Sequence, residues 1–326
     1  MQRRRKINVR RRAQPRLLWH ELLSSWIVLF ALQATVVAQI ESPQLDACWA
    51  LELRDQVPLN DNARFHRRYE MQRWEAPETA VIVCDMWDAH HCLNAVRRAT
   101  QLAPRINEFC HAVRSRGGMI IHAPSSCTDF YASDPARKRA LQVAPADAYP
   151  EGIESWCDVI PSEEAAAYPI DQSDGGEDDE ANEHQQWAAQ LESRGRNPRQ
   201  PWIRQIASIE IDSSSDYISD QGKEIWSILE SRSIKNVILC GVHTNMCVLG
   251  RPFGLRRMAT GGKNVVLARD LTDTMYNPEA WPYAAHFTGT DLIVDHIERY
   301  VCPTSAAIRF SEARNFDLPA IDASDC

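Results

Sequence analysis

The sequence predicts an α/β fold layered around a mostly parallel sheet, and three observations support it. Short unbroken apolar runs recur at 79–84 (TAVIVC), 119–123 (MIIHA), 236–240 (NVILC) and 264–270 (NVVLARD). Such runs suit strands covered on both faces. Between them lie segments with helical apolar spacing. Val96, Leu102, Ile106, Phe109 and Val113 mark one over 93–116, and Ile225, Trp226 and Leu229 mark another over 221–231. Thirdly, Gly117 and Gly118 stop the first helix just before the 119–123 strand. Strand, helix and strand in that order make one right-handed β-α-β unit.

Charge divides the 326 residues unevenly. Residues 1–38 carry eight Lys or Arg against Glu21, a net +7 within a chain of net −8, so −15 falls on the rest. The basic run leads into an apolar stretch at 26–37, too short to span a bilayer comfortably. Val36 and Ala38 occupy the small-residue positions of a cleavage site before Gln39. These features predict a secretory signal over 1–38 and an exported protein, periplasmic or extracellular, with no stable membrane span after cleavage. An uncut anchor is the alternative. The acidic balance excludes bulk nucleic-acid binding. All ten cysteines follow Ala38, with no CxxC pair and no zinc-finger spacing, which argues against a structural zinc site. Export would permit their oxidation.

Alternation around a polar turn predicts a hairpin over 48–75, part of an N-terminal extension at 39–77. The main domain is expected over 78–304, with a tail at 305–326. An insertion is expected at about 165–200, inside a long irregular region at 124–201. Its stretch 171–184 has seven acids and is expected to be mobile and solvated. Those acids lack the register of an EF-hand loop. Residues 206–211 (IASIEI) alternate like a strand. A helix is expected through MCVLGRPFGLRRM (246–258), and a last one around 291–300.

Active sites of parallel α/β sheets lie outside the carboxyl ends of the strands. Those ends present Asp85, His122, the segment 241–247 and Asp270. Cys247 stands where its segment turns into a helix, whose positive end favours thiolate. Free backbone N–H groups there suit an oxyanion. A nearby carboxylate suits proton transfer to a leaving group. Thiol, acid and amides together suggest covalent catalysis at a carbonyl carbon. The same residues fit plainer roles, Cys247 as a small buried residue and Asp85 as a helix cap.

Three segments resemble the isochorismatase-like cysteine hydrolases: VIVCDMWD (81–88), VILCGVHTNMCV (237–248) and NVVLARDLTD (264–273). The similar region runs over about 78–300. The resemblance implies three α/β/α layers around a six-stranded parallel sheet. It implies Cys247 as nucleophile and Asp85 as its acid/base partner. It also implies a cis peptide between Val242 and His243, with the His243 and Cys247 amides forming an oxyanion hole. The family's catalytic lysine is missing. Glu210 stands nearest its position, or the segment 213–216 under a shifted alignment. Either a different cation then serves, among Arg204, His243, Arg251 and His90, or the proton route differs, or the protein is not a working hydrolase.

Trp87, His90, His122, Thr244, Asn245 and Arg251 are the candidate pocket residues, with Arg251 placed to bind a substrate carboxylate. No cofactor is expected, although Asp88 and His90, two apart on a turn, remain a possible metal pair. The resulting expectation is an exported hydrolase of an amide-like C–N bond in a small molecule, working through a Cys247 thioester, with homo-oligomers common in the superfamily. Two alternatives stand: vinyl-ether hydrolysis of an isochorismate-like substrate, and a binding protein on an inactive hydrolase fold.

Overall fold

The computed structural model describes residues 48–59 and 64–307. The expected leader at 1–38 lies outside them, as does the tail beyond 307. No helix among the described residues is long and apolar enough to cross a membrane. Eight strands form one sheet in the order β2-β1-β8-β7-β6-β3-β4-β5. They are β1 (Cys48–Pro58), β2 (Phe65–Glu75), β3 (Thr79–Cys84), β4 (Met119–Ala123), β5 (Tyr217–Ile218), β6 (Asn236–Val242), β7 (Asn264–Asp273) and β8 (Thr304–Ser305). The helices are α1 (Leu93–Ser115), α2 (Pro135–Gln142), α3 (Ala181–Ser193), α4 (Gly222–Ser231), α5 (Leu255–Thr260) and α6 (His286–Tyr300).

The six strands from β8 to β5 are mutually parallel, matching the expected parallel sheet. The hairpin β1–β2 then adds two antiparallel strands, with Cys48 opposite Glu75 and Arg54 opposite Thr304. It is therefore an extension of the main sheet. Trp49, Leu51 and Leu53 alternate into the same core as α1.

Strand periodicity produces the three layers. Ala80, Ile82 and Cys84 of β3 face a core shared with α4, α5 and α6. Val81 and Val83 face the opposite core, where Ala99, Ala103, Ile106 and Val113 of α1 pack. With both faces covered, every residue of β3 and β6 is buried.

Three sequence expectations need correction. Residues 206–211 form turns, because Ile206 and Ile209 both pack toward α1 at a spacing of three, which a strand would send to opposite faces. The sheet edge is instead the two-residue β5. The helix expected over 246–258 is broken. A π-helical turn spans Thr244–Val248, and α5 begins only at Leu255. Pro252 lacks the N–H that a continuing helix requires.

The acidic insertion is docked and ordered. Asp179 accepts from the Leu93 and Asn94 N–H groups at the start of α1, at 2.6 and 2.7 Å. It thus fills the anion-binding end of that helix. Asp178 pairs with Arg98 at 2.6 Å, and Arg98 also reaches Asp273 at 2.9 Å. Replacing Asp179 with Ala should release this clamp and destabilise the fold by about 1–2 kcal/mol, measured by urea unfolding. An unchanged midpoint would mean that the clamp contributes nothing.

Nine described cysteines are free, and eight of them are buried.

Candidate active site

β3 and β6 are neighbours, and their carboxyl ends bring two distant segments together. Cys84 lies opposite Gly241. Gly241 has φ 110°, and a Cβ there would stand 2.0 Å from the Cys84 carbonyl oxygen. Only glycine allows this approach. Gly241→Ala should destabilise the protein by about 3 kcal/mol or more, seen as a large fall in Tm. The Val242–His243 peptide that follows is cis.

Asp85 ends β3 with φ 48°, a left-handed conformation that Asp tolerates better than most residues. Its carboxylate is fully buried. One oxygen accepts from the Ser125 N–H at 2.8 Å, and the other from Arg251 Nε at 2.9 Å. The Cys247 thiol lies close enough to the same carboxylate and to the His243 backbone for both to act on its titration. Arg251 extends from one turn beyond Cys247, its N–H bonded to the Cys247 carbonyl at 3.1 Å. Its guanidinium lies between the rings of Trp87 and Trp156, at 6.0 and 5.3 Å. Thiol, carboxylate and guanidinium thus form one contiguous buried group.

The geometry separates the four candidate cations. Burial drives His243 down to about 3, and it pushes His90 well below its usual value, so both are neutral. Arg204 is half-exposed beside Asp88 and Phe130. Of the four candidate cations, Arg251 is the one bonded to Asp85. Burial opposes its charge, but the neighbouring Asp85 carboxylate holds it protonated.

The expected low thiol pKa is overturned. Burial, and then the Asp85 charge, push the Cys247 thiol well up, outweighing Arg251 and the His243 N–H. The single π-helical turn at 244–248 supplies too little of a macrodipole to reverse this. Cys247 rests as a thiol near the Asp85 carboxylate.

Other candidates have different roles. Glu210 is exposed on the outside of α1, paired with His111 at 3.1 Å and bonded through its backbone to Asn107 and Arg114. It does not take the lysine's place. Asp216, within the alternative segment, is buried but committed to Arg114 and His122. His122 accordingly faces α1, between Gln205 and Asp216 at 3.0 Å each. Thr244 bonds Thr272 at 2.7 Å, and so ties together two strand ends. Asn245 bonds both backbone groups of Met275, and reaches Gln172 of the insertion at 3.0 Å. Tyr168 donates to the Asn245 carbonyl. The insertion therefore packs directly on the turn that carries Cys247.

Trp87 and His90 do border the site. Trp87 stacks on Trp202 at 4.4 Å, and His90 lies in the same stack. His243 meets both edge-on. Sequence reasoning missed Trp156, Trp202 and Ser125, which lie on loops without periodicity.

The donor set does not fit a metal at Asp88 and His90. The Asp88 carboxylate is matched by Arg196 at 2.8 Å and by the Ile203 N–H at 3.1 Å. His90 Nδ1 accepts from the Cys92 N–H.

Neutral buried imidazoles imply a pH-dependent stability. The unfolded chain binds protons at His243 and His90 below about pH 6.5, where the folded protein does not. Stability is fully present above 6.5 and falls as pH drops toward 3. Urea midpoints should therefore decline between pH 7 and pH 5, and less steeply for His243→Phe. An equal slope in that variant would contradict the assignment.

Fold and site together define a three-layer α/β protein with a Cys–Asp–Arg centre at the sheet's carboxyl edge. No protein-family model matches the chain, and no curated protein matches it. Solved structures do resemble it. A cysteine hydrolase from Pseudomonas syringae pv. phaseolicola is 15% identical with a TM-score of 0.42, over 74% of this chain and 95% of that one. An isochorismatase family protein from Burkholderia thailandensis is 14% identical with a TM-score of 0.39, over 72% and 93%. The pyrazinamidase of Pyrococcus horikoshii, solved with zinc, is 17% identical with a TM-score of 0.36, over 71% and 99%. The chemistry is argued below from this chain's own residues.

Proposed function

We propose that this chain is a hydrolase of the isochorismatase-like type that cleaves an amide-like C–N bond, with Cys247 as nucleophile. The observation that carries this is that buried Cys247 lies within electrostatic reach of the buried Asp85 carboxylate, which is itself held by Arg251 and the Ser125 N–H. Asp85 takes the thiol proton as sulfur attacks the carbonyl carbon. Arg251, bonded to that carboxylate, balances the charge passing between sulfur and oxygen. The His243 and Cys247 backbone amides hold the oxyanion as it forms. Asp85 then hands its proton to the departing amine. Water hydrolyses the thioester, restoring the thiol and releasing a carboxylic acid.

The raised Cys247 thiol favours one second reading, vinyl-ether hydrolysis driven by Asp85 without thiol attack. Cys247→Ser separates the two. It should abolish ammonia release from small amides under the first reading, and should leave vinyl-ether turnover largely intact under the second. The basic, apolar leader at 1–38 supports placing the enzyme outside the cytoplasm. A small-molecule substrate, a working cycle without a cofactor and assembly as a homo-oligomer belong to the same proposal.

A further inference from the structure

The outermost strand of the sheet stays exposed along a length that edge strands rarely keep. Among the described residues β2 pairs only with β1, at all eleven positions and without a bulge. Its other edge then presents backbone N–H and C=O groups that can template a further strand. Edges are commonly blunted by short length, by proline or by a bulge. None of these interrupts Phe65–Glu75. Six consecutive residues, His66 to Met71, are exposed. Tyr69 and Met71, at 56% and 54% exposure, share one face of the strand. Tyr69 stands opposite Arg54, which pairs with Glu298 of α6, so this is the α6 side of the sheet. Arg68 and Glu70 stand on the α1 side, opposite Asp55 and Leu53. Arg68 Nε donates to Asp55 at 3.0 Å. The Glu70 carboxylate accepts from Gln72 at 2.9 Å and is paired with no cation among the described residues.

We propose that β2 pairs with β2 of a second copy of this chain, antiparallel about a two-fold axis at Tyr69, so that two sheets join into one. This names the surface of the homo-oligomer included above and does not depend on the reaction. A two-fold axis through the sheet runs the paired strands antiparallel and keeps each face on its own side. Alternation then restricts the axis to a residue position, and the charges select which one. With the axis at Tyr69, Arg68 of each copy stands directly opposite Glu70 of the other, and the two tyrosines face each other at the centre. Arg68 then lies between Asp55 of its own chain and Glu70 of the second copy, and both Glu70 carboxylates gain a cation. Opposite charges and aromatic pairs across strands stabilise a sheet, and like charges directly opposite destabilise it. The neighbouring registers are worse on this count. An axis at Arg68 sets that arginine against itself. An axis at Glu70 sets Glu70 against itself and Arg67 against Arg73. An axis at Met71 leaves Arg68 opposite Trp74 and Glu70 opposite Gln72.

Analytical ultracentrifugation of the whole chain across a concentration series tests this through the dimer Kd. Wild type should be a dimer. Glu70→Arg and Arg68→Glu should each weaken it about 10-fold or more, because either change sets two like-charge pairs across the axis. Mixing the two variants should restore a heterodimer near the wild-type affinity, since every Arg then faces a Glu again. Tyr69→Cys should give a disulfide-linked dimer on mild oxidation, joined at position 69 by peptide mass, and Met71→Cys should give no link at position 71. The cross-link reads the register even if a charge reversal fails to fold. A monomeric wild type, a dimer that neither reversal weakens, weakened variants that mixing does not restore, or a Tyr69→Cys protein without that link would overturn the surface. Amide turnover by the same samples reports on Cys247 separately, so failure of the dimer leaves the hydrolase reading standing, and an inactive dimer leaves the surface standing.

Discussion

Cys247→Ala is expected to lose at least about 10⁴-fold in kcat on any amide that the protein cleaves. Removing the nucleophile of a covalent catalyst leaves only binding and oxyanion stabilisation. The thiol's environment adds a second expectation. Burial and Asp85 hold the sulfur protonated, so thiolate is scarce at neutral pH. Alkylation of Cys247 by iodoacetamide should therefore climb with pH through 9 without a plateau, read by peptide mass. A plateau near neutrality would show a pre-formed thiolate and contradict the role given to Asp85. The fold is expected to survive Cys247→Ala, since a small apolar side chain suits that buried position.

Arg251 is expected to have the second-largest effect. Its Nε lies 2.9 Å from a carboxylate with no solvent exposure. Removing one member of such a pair leaves a buried charge unmatched, which typically costs about 3–5 kcal/mol. Arg251→Met should therefore lower Tm strongly, and the rate on amides should fall about 10²- to 10³-fold. Arg251→Lys should recover much of the stability and part of the rate, because lysine offers a point charge where arginine offers a planar fork. An Arg251→Met protein with the wild-type melting point and amide turnover would remove arginine from the proposed centre.

The core of this arrangement was legible in the sequence for specific reasons. β3 and β6 read as strands because burial on both faces makes their apolar runs continuous. Asp85 followed because it comes directly after such a run, and Cys247 because it lies on the segment that leaves the next strand's carboxyl end. The six-strand parallel count came with the family resemblance. Arg251 was visible only as one of several cations, since its partner lies 166 residues earlier and no local pattern joins them. Ser125 gave no signal, because its N–H meets Asp85 only once the surrounding loops have packed. β5 and β8 have two residues each, too few to show alternation. The acidic insertion was misjudged because its composition resembles a solvated loop. Its acids are matched across space, by Arg98 and by the first amides of α1. The thiol's electrostatics were misjudged for a similar reason, since burial and a neighbouring carboxylate outweigh one short helical turn.

The central claim is a covalent bond between Cys247 and the acyl part of the substrate. Rapid-quench mass spectrometry during amide turnover tests it most directly. The expected result is a transient adduct on the Cys247 peptide, heavier by the mass of the amide minus its amine, and absent from Cys247→Ala. Product formation at full rate in Cys247→Ala, with no adduct on the wild-type peptide, would contradict it.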